Sequence, residues 1–598
     1  MGTMKRGLLA AVASSLVLLT LATVPASGQL KDASDRPYKT VTAQMFNNPP
    51  ASEWLQYRRT NDGHGYSPLK QITPLNAKNL QPIWSFSTGL TKGHEVVPVY
   101  HDGILFVTAS YNVVFALDAR SGKFLWRYDR DIPDKALSVV CCDVVNKGGV
   151  LYGDNFIYET IDAHAVALNA KTGAVAWDTK IADYAEGITG TAAPLVAHDK
   201  VILGMTGGEF GARGRLIAVD AATGKLEWVT YTIPAPGEPG NDTWGAGEGI
   251  ADKDAYKHGG GTTWTTGYYD DKNDIIWWPT GNPGPWAAYV RPGANAGSSS
   301  LIAFDGKTGA IKGMYQTVIH DMWDYDNISQ PFAIDYVKNG KEVHATFETH
   351  KDGFTYVIDR DPKHFGPYSG KDWENVPAIY VKPFMEGITW TKGNLDDKMH
   401  PLYDPAKDST TPELVDVCPS FLGGTNYLVP SYEAATKTAF ISGNYWCETI
   451  KGLPIQPWAP YKAYVYAEFH MYVMKGHEGG GGFIKAIDVT NGNTKWEYKM
   501  TDANWQGLVA TAGGVLFGGG TDTRDFFALD SKTGKLLWSF RTNSGMVGAP
   551  ITYEIDGKQY VATVSGFGGA IPIWTGEIKD KFNKNTPQGG VVWAFTLK

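Results

Sequence analysis

Along much of the chain, apolar and polar residues alternate over five or six positions and stop at a polar turn closed by glycine. The alternation then resumes and ends on an aromatic residue. The recurring phrase is Ala-x-Asp/Asn-x-x-Thr/Ser/Asn-Gly-x-x-x-Trp, found from Ala116 to Trp126, Ala167 to Trp177, Ala218 to Trp228, Ala486 to Trp496 and Ala528 to Trp538. A sixth copy, Ala303 to Gly313, keeps Asp305, Thr308 and Gly309 but lacks the tryptophan. Period-two alternation puts one face of a strand against a core, and a polar turn with glycine is hairpin chemistry. Trp126, Trp177 and Trp228 follow one another at 51-residue intervals, and Trp496 and Trp538 are 42 apart, the size of a four-stranded propeller blade. The sequence is therefore read as an all-β propeller in one domain, although 598 residues would otherwise suggest about four domains. The stretch between 313 and 496 is expected to hold degenerate blades, with insertions near 231–260, 365–415 and 448–480 forming a cap. Gly589 to Phe595 reads as a last strand that pairs with the first blade and closes the ring, removing an exposed edge. These repeats build scaffold, so chemistry must come from what departs from them.

The first 28 residues carry Lys5 and Arg6, an apolar run from Leu8 to Val24 and the small residues Ala26-Ser27-Gly28, a signal peptide by pattern. Residues 29–598 are then one exported domain, without another stretch apolar and long enough to span a bilayer, and a periplasmic location is expected. Loss of the leader removes two cations and no acid, so the formal charge of −8 becomes −10. That balance argues against nucleic acid and anionic membrane as partners and suits a basic protein.

Four cysteines are present, and two are neighbours, Cys141-Cys142. A disulfide between adjacent cysteines must twist the intervening peptide, a strain found at working sites, whereas the alternative is that each pairs elsewhere or stays a buried thiol. Four cysteines allow three connectivities. Other departures from the repeat are Gly93-His94-Glu95, Gly204 to Gly211 with Glu209 among glycines, Gly259 to Trp264, Thr280 to Trp286 and His320 to Asn327. Glycines such as Gly207 and Gly208 let backbone approach a flat ligand closely. Glu209, Asn282, Asp324 and Asp326 are hard oxygen donors, suited to a cation of the Ca²⁺ kind and not to zinc or copper.

With these residues in view the chain resembles the pyrroloquinoline quinone (PQQ)-dependent alcohol dehydrogenases of the methanol and ethanol dehydrogenase type. The motifs that carry the resemblance are the adjacent cysteines before Asp143-Val144-Val145-Asn146, Thr206-Gly207-Gly208-Glu209, Gly281-Asn282-Pro283-Gly284-Pro285-Trp286 and Trp323-Asp324-Tyr325-Asp326. It runs nearly end to end, from Trp54 through Tyr66-Ser67-Pro68-Leu69 to the closing strand. The resemblance implies eight blades and a vicinal Cys141–Cys142 disulfide over one face of the quinone, with Trp264 under the other. It implies Glu209, Asn282 and Asp324 as metal ligands, with Asp324 also the catalytic base. Glu95, Thr191, Thr206, Thr262 and Asn426 are implied cofactor contacts, and Gly207, Gly208 and Trp505 are counted with them. It also implies a structural Cys418–Cys447 disulfide and a homodimer.

Two departures from the family are lysines where arginine is usual, Lys147 at the cofactor carboxylate and Lys351 near the quinone oxygen, each giving a point charge in place of a bidentate fork. Asp326, two residues after the base, matches the lanthanide-using members, because a trivalent ion gains more from an added carboxylate than Ca²⁺ does. A lanthanide is thus the favoured metal, with Ca²⁺ the other. The implied reaction oxidises a small primary alcohol to an aldehyde, with Lys351 assisting at the quinone. No Cys-x-x-Cys-His is present to bind haem, so a cytochrome c is the expected electron acceptor. A Ca²⁺-dependent PQQ enzyme for a polyol, sugar or polymeric alcohol, and a cofactor-free propeller scaffold, are the readings that stand beside this one. Trp446, Trp458, Tyr461, Tyr464 and Trp505 either narrow the funnel or are core.

Overall fold

The computed structural model describes residues 36–245, 254–574, 584 and 586–598. The proposed signal peptide lies outside these residues, and no helix among them is long and apolar enough to cross a membrane. The two described α-helices, Asp134–Leu137 and Ile571–Trp574, are single turns, so strands carry the fold.

Each repeat phrase is the outer hairpin of an antiparallel sheet, with the alanine paired to the aromatic position: Ala116 to Trp126, Ala167 to Trp177, Ala218 to Trp228, Ala486 to Trp496 and Ala528 to Trp538. Ala303 pairs in the same way with Gly313, so the copy without tryptophan keeps the register. Among the described residues there are seven four-stranded sheets and one of five strands, besides two smaller ones.

The tryptophan of one phrase docks on the glycine turn of the next. At Gly173, with φ of +72°, an added Cβ would come within 2.7 Å of the Trp126 ring. At Gly534, also at +72°, it would come within 2.6 Å of Trp496. Glycine is thus needed twice over, for the left-handed backbone and for the close approach. The indole N–H groups of Trp126 and Trp496 donate to Ala170 O and Ser531 O in the neighbouring turns, at 3.0 Å each.

The closing strand, Val591–Leu597, pairs with Leu80–Ser87, and this N-terminal strand completes a sheet whose other strands are Ile551–Ile555 and Lys558–Ser565. Trp84 in that strand docks on Gly122 of the first repeat, which joins the two ends of the chain through one sheet. Contrary to expectation, the last strand therefore does not pair with the sheet of the first repeat; Leu80–Ser87 crosses over to pair with it instead. The span 365–415 is not all insertion: Ala378–Pro383 is the fourth strand of a blade-like sheet beside Phe354–Asp359. The true insertion follows it, as the hairpin Thr391–Leu395 with Pro401–Tyr403. The span 448–480 forms a small sheet, Trp446–Gly452 with Ala467–Val473 and Val415–Val417. The Cys418–Cys447 disulfide links two of its strands, joining Trp446–Gly452 to the residue that follows Val415–Val417.

Candidate active site

A cleft enclosing about 870 Å³ of non-atom space, part of it open to solvent, lies where the non-repeat segments meet. Glu95, Cys141, Cys142, Lys147, Thr191, Thr206 and Gly207 contribute to its lining. So do Glu209, Thr262, Trp264, Asp324, Asp326, Lys351 and Asn426. Fourteen of the seventeen residues singled out in the sequence therefore share one cavity.

Gly207 explains how Glu209 is presented. Its φ is +125°, and a Cβ there would lie 2.0 Å from Gly187 O, so only glycine allows the chain to turn into the short 3-10 segment Gly208–Phe210. Thr206 is held on the other side by its backbone pairing and hydroxyl contact with Thr189. Burial, and then the charge of Asp326, push the Glu209 carboxyl above its ordinary range.

Asp324 sits at φ of +62°, a left-handed conformation uncommon for aspartate and a form of strain that clusters at working sites. Its Oδ2 lies 2.9 Å from Lys351 Nζ, which also donates to Asp324 O at 3.0 Å. Its Oδ1 is buried with no hydrogen-bond partner among the described residues. The Lys351 ammonium reaches Asp326 Oδ2 as well, at 2.5 Å, while Asp326 Oδ1 accepts the Asn282 N–H at 2.5 Å. Burial works against the Lys351 charge, but Asp324 and Asp326 hold it above the usual lysine range. Burial pushes Asp324 up strongly, with Asp326 and Glu209 adding to the effect against the attraction of Lys351. Three carboxylates face one ammonium here, and such a set is short of positive charge.

A second charged pair lines the other part of the cleft. Lys147 Nζ lies 3.2 Å from Glu95 Oε2, and 5.3 and 4.9 Å from the ring centroids of Trp264 and Tyr427. Burial raises the Glu95 carboxyl, opposed by Lys147.

Three expected residues do not line the cavity. Gly208 and Asn282 are directly behind it: a Cβ on Gly208 would be 3.3 Å from Asn282 Oδ1, and the Asn282 N–H supports Asp326. Trp505 is core, stacked on Trp446 at 5.7 Å and met edge-on by Tyr427 at 5.9 Å. Cys141 and Cys142 are thiols whose sulfurs stand 2.8 Å apart, beyond the bond length of about 2.05 Å, so the vicinal ring expected from the resemblance is not closed in this structure.

The sequence reading missed Thr189, Tyr427 and an aromatic collar among the lining residues. Trp286, Phe421 and Phe469 meet pairwise at 4.7–5.6 Å, and Trp574 joins Phe469 at 5.8 Å. The Pro-Trp motif pointed to Trp286; the other three come from segments without a pattern. The insertion 448–480 does reach the site, through Val465 and Phe469, whereas Trp446 is core. Outside the cleft, Glu53, His101 and Asp102 bring ligand atoms within 4.8 Å of one another. Both His101 ring nitrogens there already have partners, Glu53 Oε2 at 2.9 Å and Lys39 O at 2.6 Å.

The donor chemistry fits a multivalent cation. The three carboxylates of Glu209, Asp324 and Asp326 around the single Lys351 ammonium leave an excess of negative charge that a hard ion would satisfy. A flat quinone bearing carboxylates fits the rest, with Trp264 for stacking and Lys147 for charge.

Residues 54–362 and 481–561 match the family described as PQQ, glucose/ethanol/alcohol dehydrogenase, beta-propeller domain. The chain is 37% identical to quinoprotein alcohol dehydrogenase PedH of Pseudomonas putida, over 90% of this chain and 89% of that protein. It is 35% identical to the lanthanide-dependent methanol dehydrogenase of Methylorubrum extorquens, over 88% of each. Among solved structures, a europium-containing methanol dehydrogenase superposes with a TM-score of 0.82 at 32% identity, covering 92% of this chain and 99% of that one.

Proposed function

The chain belongs to the PQQ-dependent alcohol dehydrogenase family, and on that premise we propose that it oxidises primary alcohols to aldehydes in the periplasm with Asp324 as base. The observation that carries this reading is the buried Asp324 carboxylate, held by Lys351 through one oxygen and without a partner at the other.

Cys141, Cys142 and Trp264 would hold the quinone ring, with Glu95, Lys147, Thr191, Thr206, Thr262 and Asn426 around its polar edge. Glu209, Asn282, Asp324 and Asp326 would hold the metal. A quinone held there would supply the acceptor for the hydride of the alcohol carbon, and a metal would supply a Lewis acid. Asp324 takes the hydroxyl proton at Oδ1, where burial has made its carboxylate more basic. Lys351 fixes that carboxylate through Oδ2 and leaves Oδ1 to the alcohol. The collar of Trp286, Phe421, Phe469 and Trp574 keeps water from the acceptor and favours an apolar chain on the alcohol. A polyol or sugar would have to leave its hydroxyls unpaired against those rings, which disfavours that alternative.

Asp326 makes a lanthanide the favoured ion, since it adds a third carboxylate to the set, and Ca²⁺ remains compatible with the same oxygens. We read the eight larger sheets as eight blades, residues 1–28 as a signal peptide and 29–598 as one domain. A cytochrome c would take the electrons one at a time, as the sequence has no haem-attachment motif. A homodimer completes the reading.

The test is dye-linked ethanol oxidation by metal-free protein supplied with PQQ and either La³⁺ or Ca²⁺. Turnover with La³⁺ and none without metal is expected. Turnover with Ca²⁺ alone would overturn the lanthanide assignment, and silence with both ions across methanol, ethanol and longer alcohols would overturn the substrate class.

A further inference from the structure

The short segment that carries Glu209 is gripped from outside the cleft at three successive carbonyls. Tyr464 N–H donates to Glu209 O at 2.6 Å, and Trp458 Nε1–H to Phe210 O at 2.8 Å. His258 Nδ1 lies 3.0 Å from Gly211 O. The Trp458 and His258 rings are themselves stacked, 4.4 Å between centroids and 15° between planes. Gly211, at φ of +69°, has no room for a side chain, because a Cβ would come within 2.7 Å of Trp458 and 3.1 Å of Tyr464.

Trp458 and Tyr464 belong to one loop, 453–466, whose ends are joined by the bond from Leu453 N–H to Tyr466 O at 2.8 Å. A loop of this size with closed ends is an Ω-loop, packed by its own side chains. It is fastened near its start by the Tyr289 hydroxyl, which donates to Leu453 O and accepts from Ile455 N–H. Its far end receives the Trp286 N–H at Val465 O, 3.1 Å away. The same loop therefore touches the Glu209 turn, the collar residue Trp286 and, through Val465, the cleft itself. A glutamate on a three-residue 3-10 turn flanked by glycines has little local stiffness, and the loop supplies it.

We propose that the 453–466 loop is the positioning element for the Glu209 carboxylate, with Trp458 as its principal positioning residue, so that loop docking and multivalent-cation binding in the cleft are linked. The proposal rests on the reading of Glu209 as a metal ligand. Linkage is reciprocal: a loop that favours the ion-binding geometry must itself be stabilised when the ion binds.

The experiment uses Tb³⁺ as probe, titrated by sensitised luminescence into the full metal-free chain and into Trp458→Phe. That variant keeps a ring on His258 and removes the donor to Phe210 O. One lost hydrogen bond of ordinary net strength predicts Tb³⁺ binding weaker by roughly 3- to 10-fold. In the wild type, amide exchange at Tyr464 should slow when Tb³⁺ is added, and this second readout stands even where the variant folds poorly. Equal Tb³⁺ affinity in a folded variant, or Tyr464 exchange indifferent to Tb³⁺, would overturn the inference while leaving Glu209 as a ligand. No Tb³⁺ binding by the wild type would overturn both.

Discussion

Asp324→Asn is expected to lower alcohol turnover by at least about 10²-fold, the order contributed by a positioned general base, while the protein folds and binds metal. Asparagine is the informative replacement. The backbone here is left-handed, at φ of +62°, and asparagine tolerates that conformation where alanine would add strain. The amide also retains an acceptor for Lys351 Nζ, so the ammonium is not left alone in a buried site. What is lost is the ability of Oδ1 to take a proton. Steady-state ethanol oxidation, with thermal unfolding as the control, measures it, and turnover within a few-fold of wild type would remove Asp324 as the base.

Asp326→Asn is expected to separate the two metals. La³⁺-supported turnover should fall by roughly 10²-fold or more, the scale of removing one charge from a buried network, with Ca²⁺-supported turnover changing by less than about 10-fold. The amide leaves an oxygen to accept the Asn282 N–H, now at 2.5 Å from Asp326 Oδ1, so the wall behind the cleft is kept. It also leaves Lys351 paired with Asp324. Alanine would confound charge with support of Asn282. Equal loss with both ions, read in parallel reconstitution assays, would make Asp326 a fastener for Asn282 and Lys351 and not a metal-selecting ligand.

The scaffold was legible because its information is local. Ala167 to Trp177 holds its own strand alternation, turn and interface aromatic within eleven residues, and the glycine that the preceding tryptophan ring needs is part of the phrase. Ala378–Pro383 escaped because its residues are all half-buried or exposed and show no alternation. Leu80–Ser87 does alternate, but nothing near it in sequence shows that its partner is the last strand of the chain. Most of the site was legible for a related reason: each motif is a departure from the repeat, so Glu209, Asp324 and the two cysteines stood out where they lay. The collar was not, since Phe421, Phe469 and Trp574 are single aromatics from separate segments and become a surface only on folding. Nor could the sequence tell that Lys351 pairs with Asp326 across 25 residues, or that Trp505 stacks on Trp446 in the core and stays out of the cleft.

The central claim is that one cleft holds the quinone and a metal at Glu209, Asn282, Asp324 and Asp326. Anomalous diffraction from crystals of the protein loaded with PQQ and La³⁺ tests it most directly. The account predicts one strong lanthanum peak bonded to oxygens of those four residues, with the quinone between Cys141-Cys142 and Trp264. A peak at Glu53, His101 and Asp102 instead, with none beside Asp324, would contradict it.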